Sequence, residues 1–198
     1  MEGQLADLKR GALDRLNGAP TVLGEFGIPF DLNGGRAYRS RDFRTQAKAL
    51  ERGLEAIEVN LLSCAIWNYT PDNTNARGDL WNGEDLSIFS RDQRTDPRDI
   101  NSGGRALRAL LRPYPAAIAG QPLRASFDNG RRRFEFQFRH DPAVSAPTEI
   151  FVPNLQYPRG YNIHMSDGTC EVRLGEQMLF YMHGWERDDH TLTIMPSG

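Results

Sequence analysis

Apolar residues at Leu5, Leu8, Ala12 or Leu13, and Leu16 recur at helical spacing and predict a short helix over residues 5–16. Asn17-Gly18 and then Pro20 supply its stop. Thr21 to Gly27 reads as a short β-rich run closed by glycines, and 28–41, rich in Gly and Asp, as a loop. Asp42 stands where a helix cap belongs. Phe43, Ala47, Leu50, Leu54 and Ile57 then fall on one face of the clearest helix in the chain. Leu61 to Trp67 is nearly continuous in apolar residues, the pattern of a parallel strand covered on both faces. A long polar segment follows to Asn101, longer than a simple connection needs. Gly104 to Arg112 reads as a last helix, ended by Pro113.

Beyond Ala119 the period changes from helical to alternating. Leu123–Phe127 and Phe134–Phe138 flank Asp128-Asn129-Gly130, a hairpin signal, and Arg131-Arg132-Arg133 opens the second strand. Further strands are expected at Thr148–Val152, Tyr161–His164, Cys170–Leu174, Gln177–Tyr181 and Thr191–Met195. Strands alternating with helices argue for parallel β/α units, and short strands at roughly 8–12 residue spacing argue for an antiparallel sandwich. The fold class is therefore α/β followed by all-β. The boundary falls between residues 112 and 120, giving a domain over 1–116 and a second over 117–198. The Phe134, Phe136, Phe138 stripe is expected to face the sandwich core.

Composition narrows the function classes. The 198 residues are 39% hydrophobic and 25% charged, with a net charge of −2, so neither nucleic acid nor an acidic membrane is an expected partner. No apolar run approaches a membrane span. Of 24 basic residues only Lys9 and Lys48 are lysine, and the arginines are spread among acids rather than gathered in a binding stripe. Two cysteines, Cys64 and Cys170, make neither a disulfide framework nor a zinc site, and a reducing, cytoplasmic setting is the simplest expectation. His140, His164, His183 and His190 show no metal-ligand spacing, so they read as structural or surface residues, with no metal and no cofactor expected.

Two positions carry candidate chemistry. Glu25 ends a strand between glycines, in Gly24-Glu25-Phe26-Gly27. At the C-terminal end of a β/α strand a carboxylate points into the place where such folds build active sites, and it suits a glycosidase nucleophile; a surface Glu in a turn is the plainer alternative. Trp67-Asn68-Tyr69 ends the next strand at the same level, where an aromatic ring can stack on a sugar or simply pack in the core.

Together with their surroundings these segments resemble a known family. Pro20–Asp31, Ala65–Asn73, Gly78–Ser87, Arg112–Pro115 and Pro147–Pro153 are similar, in order, to the C-terminal part of glycoside hydrolase family 5. The closer likeness is to its fungal endoglycoceramidase-related branch, which includes glucosylceramidases and steryl β-glucosidases. The resemblance implies that 1–116 holds strands seven and eight, the last two β/α units of a (β/α)8 TIM barrel, followed by a small antiparallel β-sandwich. It implies that Glu25 is the catalytic nucleophile and that Trp67 is the sugar platform. Tyr69, Asp72 and Asn73 would line the substrate pocket, with Asp31 and Tyr38 as weaker candidates.

The expected substrate is a glycolipid, a steryl glucoside or glucosylceramide, with peripheral membrane contact as a further possibility. A retaining glycosidase also needs an acid/base carboxylate, in this family a Glu after Asn at the end of strand four. No Asn-Glu pair occurs here, so that residue and the missing N-terminal barrel portion are expected elsewhere, and the isolated chain is expected to be inactive or nearly so. The competing expectation is a non-catalytic truncated fragment whose sandwich acts only as an interaction or lipid-surface module.

Overall fold

The computed structural model describes residues 1–198, and they fall into two units. Unit 1 comprises Met1–Ile57 and Leu62–Leu110; unit 2 comprises Glu58–Leu61 and Leu111–Gly198.

Unit 1 begins with helix α1 (Glu2–Arg15), which buries only Leu5. Gly18 follows in the left-handed region (φ +79°), the conformation that ends helices and that glycine adopts without cost. Strand β1 (Val22–Phe26) and strand β2 (Ser63–Ile66) pair in parallel. Parallel neighbours need a crossover, and helix α3 (Arg44–Val59) supplies it. Its buried face, Leu50, Leu54 and Ile57, is the one the spacing predicts. The residues expected to form a loop over 28–41 instead contain α2 (Leu32–Ser40). Asn33, Gly34 and Gly35 inside it lie in the left-handed region, so the segment is helical across a kink, where the local sequence reads as turn.

Two corrections concern extent and burial. The helix expected over 104–112 is reduced to α4 (Leu107–Leu110). Strand β2 is not covered on both faces: it alternates exposed and half-buried residues. Cys64 and Ile66, with Leu23 and Phe26 of β1, pack against the cluster of Leu5, Leu54, Ala56 and Ile57. The opposite face of each strand is open, and a two-stranded pair has both of its outer edges unpaired. No closed barrel is present, since these two strands are the whole parallel sheet.

Unit 2 is built from strands β3 (Tyr114–Ala117), β4 (Gly120–Asp128), β5 (Arg133–His140), β6 (Thr148–Phe151), β7 (Tyr161–Met165), β8 (Thr169–Arg173), β9 (Met178–Met182) and β10 (Asp189–Pro196). They form two four-stranded antiparallel sheets, ordered β4-β5-β10-β7 and β3-β6-β9-β8. Inward residues from both sheets form one core, with Phe134, Phe136 and Phe138 opposite Ile150, Leu179 and Tyr181. The period-two aromatic stripe faces this core as expected. Pro122 lies on the edge strand β4 at a register shift, where its missing N–H costs no ladder bond. At the chain entry to this unit the buried Arg112 side chain binds Glu58 through Nη2 at 2.8 Å and the Phe127 carbonyl at 2.8 Å.

Candidate active site

Glu25 and Trp67 lie at the C-terminal ends of adjacent parallel strands. The pairing runs Val22 with Ser63 and Leu23 with Cys64, then shifts, so that Phe26 meets Ile66. Three steps along β1 match two along β2, which makes Gly24-Glu25 the site of a β-bulge. Bulges re-aim a side chain at the end of a strand. Glu25 is exposed on this kink. The next rung is the Trp67 N–H donating to the Phe26 carbonyl at 2.8 Å, so Trp67 continues β2 directly beside Glu25's neighbour. Gly27 admits no side chain: a Cβ there would sit 1.9 Å from the Trp67 carbonyl oxygen.

The Trp67–Asn68 peptide bond is cis. The Trp67 ring is half-buried and meets Trp81 edge-on, centroids 6.2 Å apart. Asn68 is fixed on all sides. Its amide donates to Asp79 at 2.8 Å, its backbone N–H to Leu86 at 3.2 Å, and its carbonyl accepts from Ile88 at 2.8 Å. Tyr69 is exposed, with its ring tilted on Phe89 at 5.6 Å. Asp72 is exposed on the turn that follows.

Asn73 is placed differently from the others. It is 1% exposed, and its amide donates both hydrogens, to Asp85 at 2.7 Å and to the Phe89 carbonyl at 2.9 Å. It belongs to a buried polar network beneath the long loop. Asp85 also accepts from the Tyr38 hydroxyl and from Arg105 Nη1, both at 2.6 Å. Arg105 is fully buried and further bonds Gln93, Asn75 and the Ser87 carbonyl, with Phe30 and Tyr38 rings beneath its guanidinium. Burial, reinforced by the bond to Asp85, pushes the Tyr38 hydroxyl pKa above the usual phenol range. Tyr38 is thus a buttress of the loop. Asp31 precedes α2 with no side-chain cap bond.

None of this network was visible in the sequence, where the segment from Thr70 to Asn101 reads only as long and polar. A cleft of about 440 Å³ lies over α2 and the start of α3, lined by Arg36, Ser40, Asp42, Arg44 and Lys48 among others, and includes neither Glu25 nor Trp67.

In chain order, a parallel strand pair with a bulged carboxylate and an aromatic ring at its C-terminal end is followed by an antiparallel sandwich. Residues 112–194 match the glycoside hydrolase family 5 C-terminal domain. Those residues are therefore a glycoside hydrolase family 5 C-terminal domain. It is 33% identical to a glucosylceramidase of Rhizopus delemar over 94% of this chain and 29% of that protein. It is 26% identical to the ergosteryl-beta-glucosidase of Saccharomyces cerevisiae over 91% of this chain and 31% of that protein. Its structure superposes on the crystal structure of Cryptococcus neoformans sterylglucosidase 1 with a TM-score of 0.91 and 32% identity, covering 100% of this chain and 32% of that one. The chain therefore spans about a third of the length of these relatives and corresponds to a C-terminal part of them.

Proposed function

We propose that these residues form the nucleophile-bearing end of a retaining β-glycosidase that hydrolyses glucosyl lipids, a steryl glucoside or glucosylceramide. The observation that carries this reading is Glu25, aimed by a bulge at the C-terminal end of a parallel strand, with Trp67 at the end of its partner. The open outer edges and faces of β1 and β2 suit two strands of a (β/α)8 barrel whose other strands lie outside these residues. The names of the relatives support the substrate class.

In this reading the Glu25 carboxylate attacks the anomeric carbon. The glycosidic C–O bond breaks, and a glycosyl-enzyme ester forms. An acid/base carboxylate from the remainder of the enzyme protonates the leaving aglycone oxygen, then removes a proton from the water that hydrolyses the ester. The two carboxylates of such a pair lie about 5–5.5 Å apart, which the end of one barrel strand and another can satisfy. Trp67 stacks on the apolar face of the sugar. Tyr69 and Asp72 offer accessible groups at the rim, whereas Asn73 holds the loop that carries them.

The test is replacement of Glu25 by Gln in the enzyme that contains these residues. Hydrolysis of a glucosyl sterol is expected to fall by more than about 10³-fold, because no covalent intermediate forms. Incubation of the unmodified enzyme with a 2-deoxy-2-fluoroglucoside should label the peptide containing Glu25. Near-normal turnover by the Gln variant, or labelling of another carboxylate, would remove Glu25 from this role. Turnover of an aryl β-glucoside by the 198-residue chain alone, tied to Glu25, would show that no outside acid is needed.

A further inference from the structure

Three of the four histidines, read from spacing as unconnected, come together at one end of the sandwich. His140 ends β5, His190 lies in β10 beside it, and His183 follows β9 in the other sheet. One ring nitrogen from each can be chosen so that all three lie within 4.8 Å of one another. His140 Nδ1 and His190 Nε2 are 3.0 Å apart. His183 and His190 are buried, 8% and 0% exposed, and both ring nitrogens of His183 lack any hydrogen-bond partner. Burying an unpaired imidazole is unfavourable, and a core built for stability alone would fill that position with an apolar ring. Something at this point is meant to meet those nitrogens.

We propose that His140, His183 and His190 bind one divalent first-row transition ion of the zinc class, which fastens the two sheets together at this end. Two imidazole nitrogens held at about 2.0–2.1 Å by a tetrahedral ion stand roughly 3.4 Å apart, a spacing the cluster reaches with small side-chain rotations. Imidazole is a borderline ligand that suits Zn²⁺, Co²⁺, Ni²⁺ and Cu²⁺, while the absence of carboxylate from the trio disfavours Ca²⁺ and Mg²⁺. Three protein ligands leave a further position for water.

The surroundings are those of a ligand rather than of a packing residue. His190 Nδ1 bonds Asp167 Oδ1 at 2.8 Å, so its Nε2 is the nitrogen that faces the cluster. A carboxylate behind a ligating histidine fixes the ring and its tautomer. Asp167 is itself anchored, accepting from Tyr181 at 2.7 Å, Ser166 at 3.0 Å and the Gly184 N–H at 3.1 Å. Gly168 allows the turn that carries Asp167 to approach β9, because at φ +71° a Cβ would lie 2.1 Å from the Met182 carbonyl oxygen. In the metal-bound form the His140 proton moves to Nε2, freeing Nδ1 as a ligand with no net change of charge on the ring. Trp185 closes the cluster edge-on, 5.3 Å from His140 and 5.1 Å from His183. The glycosidase chemistry proposed for Glu25 involves none of these residues, and this inference stands apart from it.

The experiment is titration of the tag-free 198-residue chain, stripped with chelator, with Co²⁺ and separately with Zn²⁺. One equivalent of Co²⁺ is expected to give the visible absorption of a low-symmetry nitrogen-ligated ion, and one equivalent of Zn²⁺ to displace it and raise the melting temperature. His183→Ala is expected to abolish both signals. His140→Gln, on the more accessible ring at a strand end, is expected to weaken them strongly while leaving the far-ultraviolet spectrum unchanged. Asp167→Asn is expected to weaken Co²⁺ binding by about 10–100-fold. Failure of the unmodified chain to bind one equivalent of either ion overturns the proposal, as does unchanged Co²⁺ binding by a folded His140→Gln chain.

Discussion

The two units are held by different forces. In unit 2 the interior is a single apolar cluster running from Ala119 to Ile194, and its largest members are four phenylalanines and two tyrosines. In unit 1 the apolar residues divide into two small clusters, one around Leu54 and Ile57, one around Phe30 and Leu50. Its largest fully buried side chain is the charged Arg105. Leu8, Leu13, Leu16 and Val22 remain exposed there. An apolar core tolerates exchange of one hydrophobe for another, because its energy scales with buried area. A buried ion pair within a hydrogen-bond network does not, because each member left alone keeps a full desolvation cost. The unit that carries Glu25 and Trp67 thus rests more on a buried polar network around one charged pair, whereas in unit 2 the buried pair Arg112–Glu58 accompanies a large apolar core.

The largest expected effect follows from that contrast. Asp85→Ala removes the carboxylate shared by Tyr38, Asn73 and Arg105 and leaves the guanidinium buried and unpaired. A loss of about 3–5 kcal/mol is expected from urea denaturation. A loss below about 1 kcal/mol would show that water reaches Arg105 and that the network is not what orders the loop.

In unit 2 the matching change is Phe138→Ala, at a fully buried ring against Tyr181 and His190. It is also expected to cost about 3–5 kcal/mol, here through a cavity. The difference between the units appears in the conservative variants. Phe138→Leu should recover much of that loss, whereas Asp85→Asn, which keeps the shape but not the charge, should recover little. Equal recovery at both positions would erase the distinction.

The contrast also explains what the sequence discloses. The strands of unit 2 are readable because a half-buried strand alternates, and Phe134, Phe136, Phe138 and the Asp128-Asn129-Gly130 turn state both strand and register. Helix α3 is readable for the same reason at the helical period. The candidate pair Glu25 and Trp67 is legible because each ends an apolar run. The network at Asp85 and Arg105 is not, since charged residues in a polar loop carry no period. Strand β3 is hidden by Pro115, which argues against a strand unless it lies at an edge, as β3 does. The histidine cluster is invisible because its members come from the ends of three different strands, which only the folded sheets bring together.

A moderate effect tests the strand ends themselves. Gly27→Ala places a methyl carbon against the Trp67 backbone carbonyl, which cannot rotate away as a side chain would. The β1–β2 junction must then open, at an expected cost of about 1–3 kcal/mol. Thermal melting reads that cost. In the enzyme containing these residues the same change should lower glucosidase activity more than stability predicts, because it displaces Glu25 and Trp67 from each other. Activity that follows stability alone would mean that the strand ends do not set the chemistry.

The smallest effect concerns a second aspartate of unit 1, which differs from Asp85 in being exposed. Asp42 accepts the Arg44 N–H at 3.0 Å and is forked by the Arg44 guanidinium at 2.7 Å. These bonds, side chain first and backbone second, hold its pKa at about 2 against an ordinary 3.8. A carboxyl whose folded pKa is depressed adds stability that is fully present above 3.8 and is lost as the pH falls toward 2. Because the group is exposed, solvent and salt screen the ion pair, and the gain is small. Carbon-detected NMR titration should show Asp42 ionising near 2, and 1 M salt should move it back toward 3.8, since the charge on Arg44 is then screened. Asp42→Asn, which keeps an acceptor for the Arg44 N–H, should leave the melting temperature nearly unchanged at pH 7. A large drop at that position would place Asp42 with Asp85, among the polar residues on which unit 1 depends.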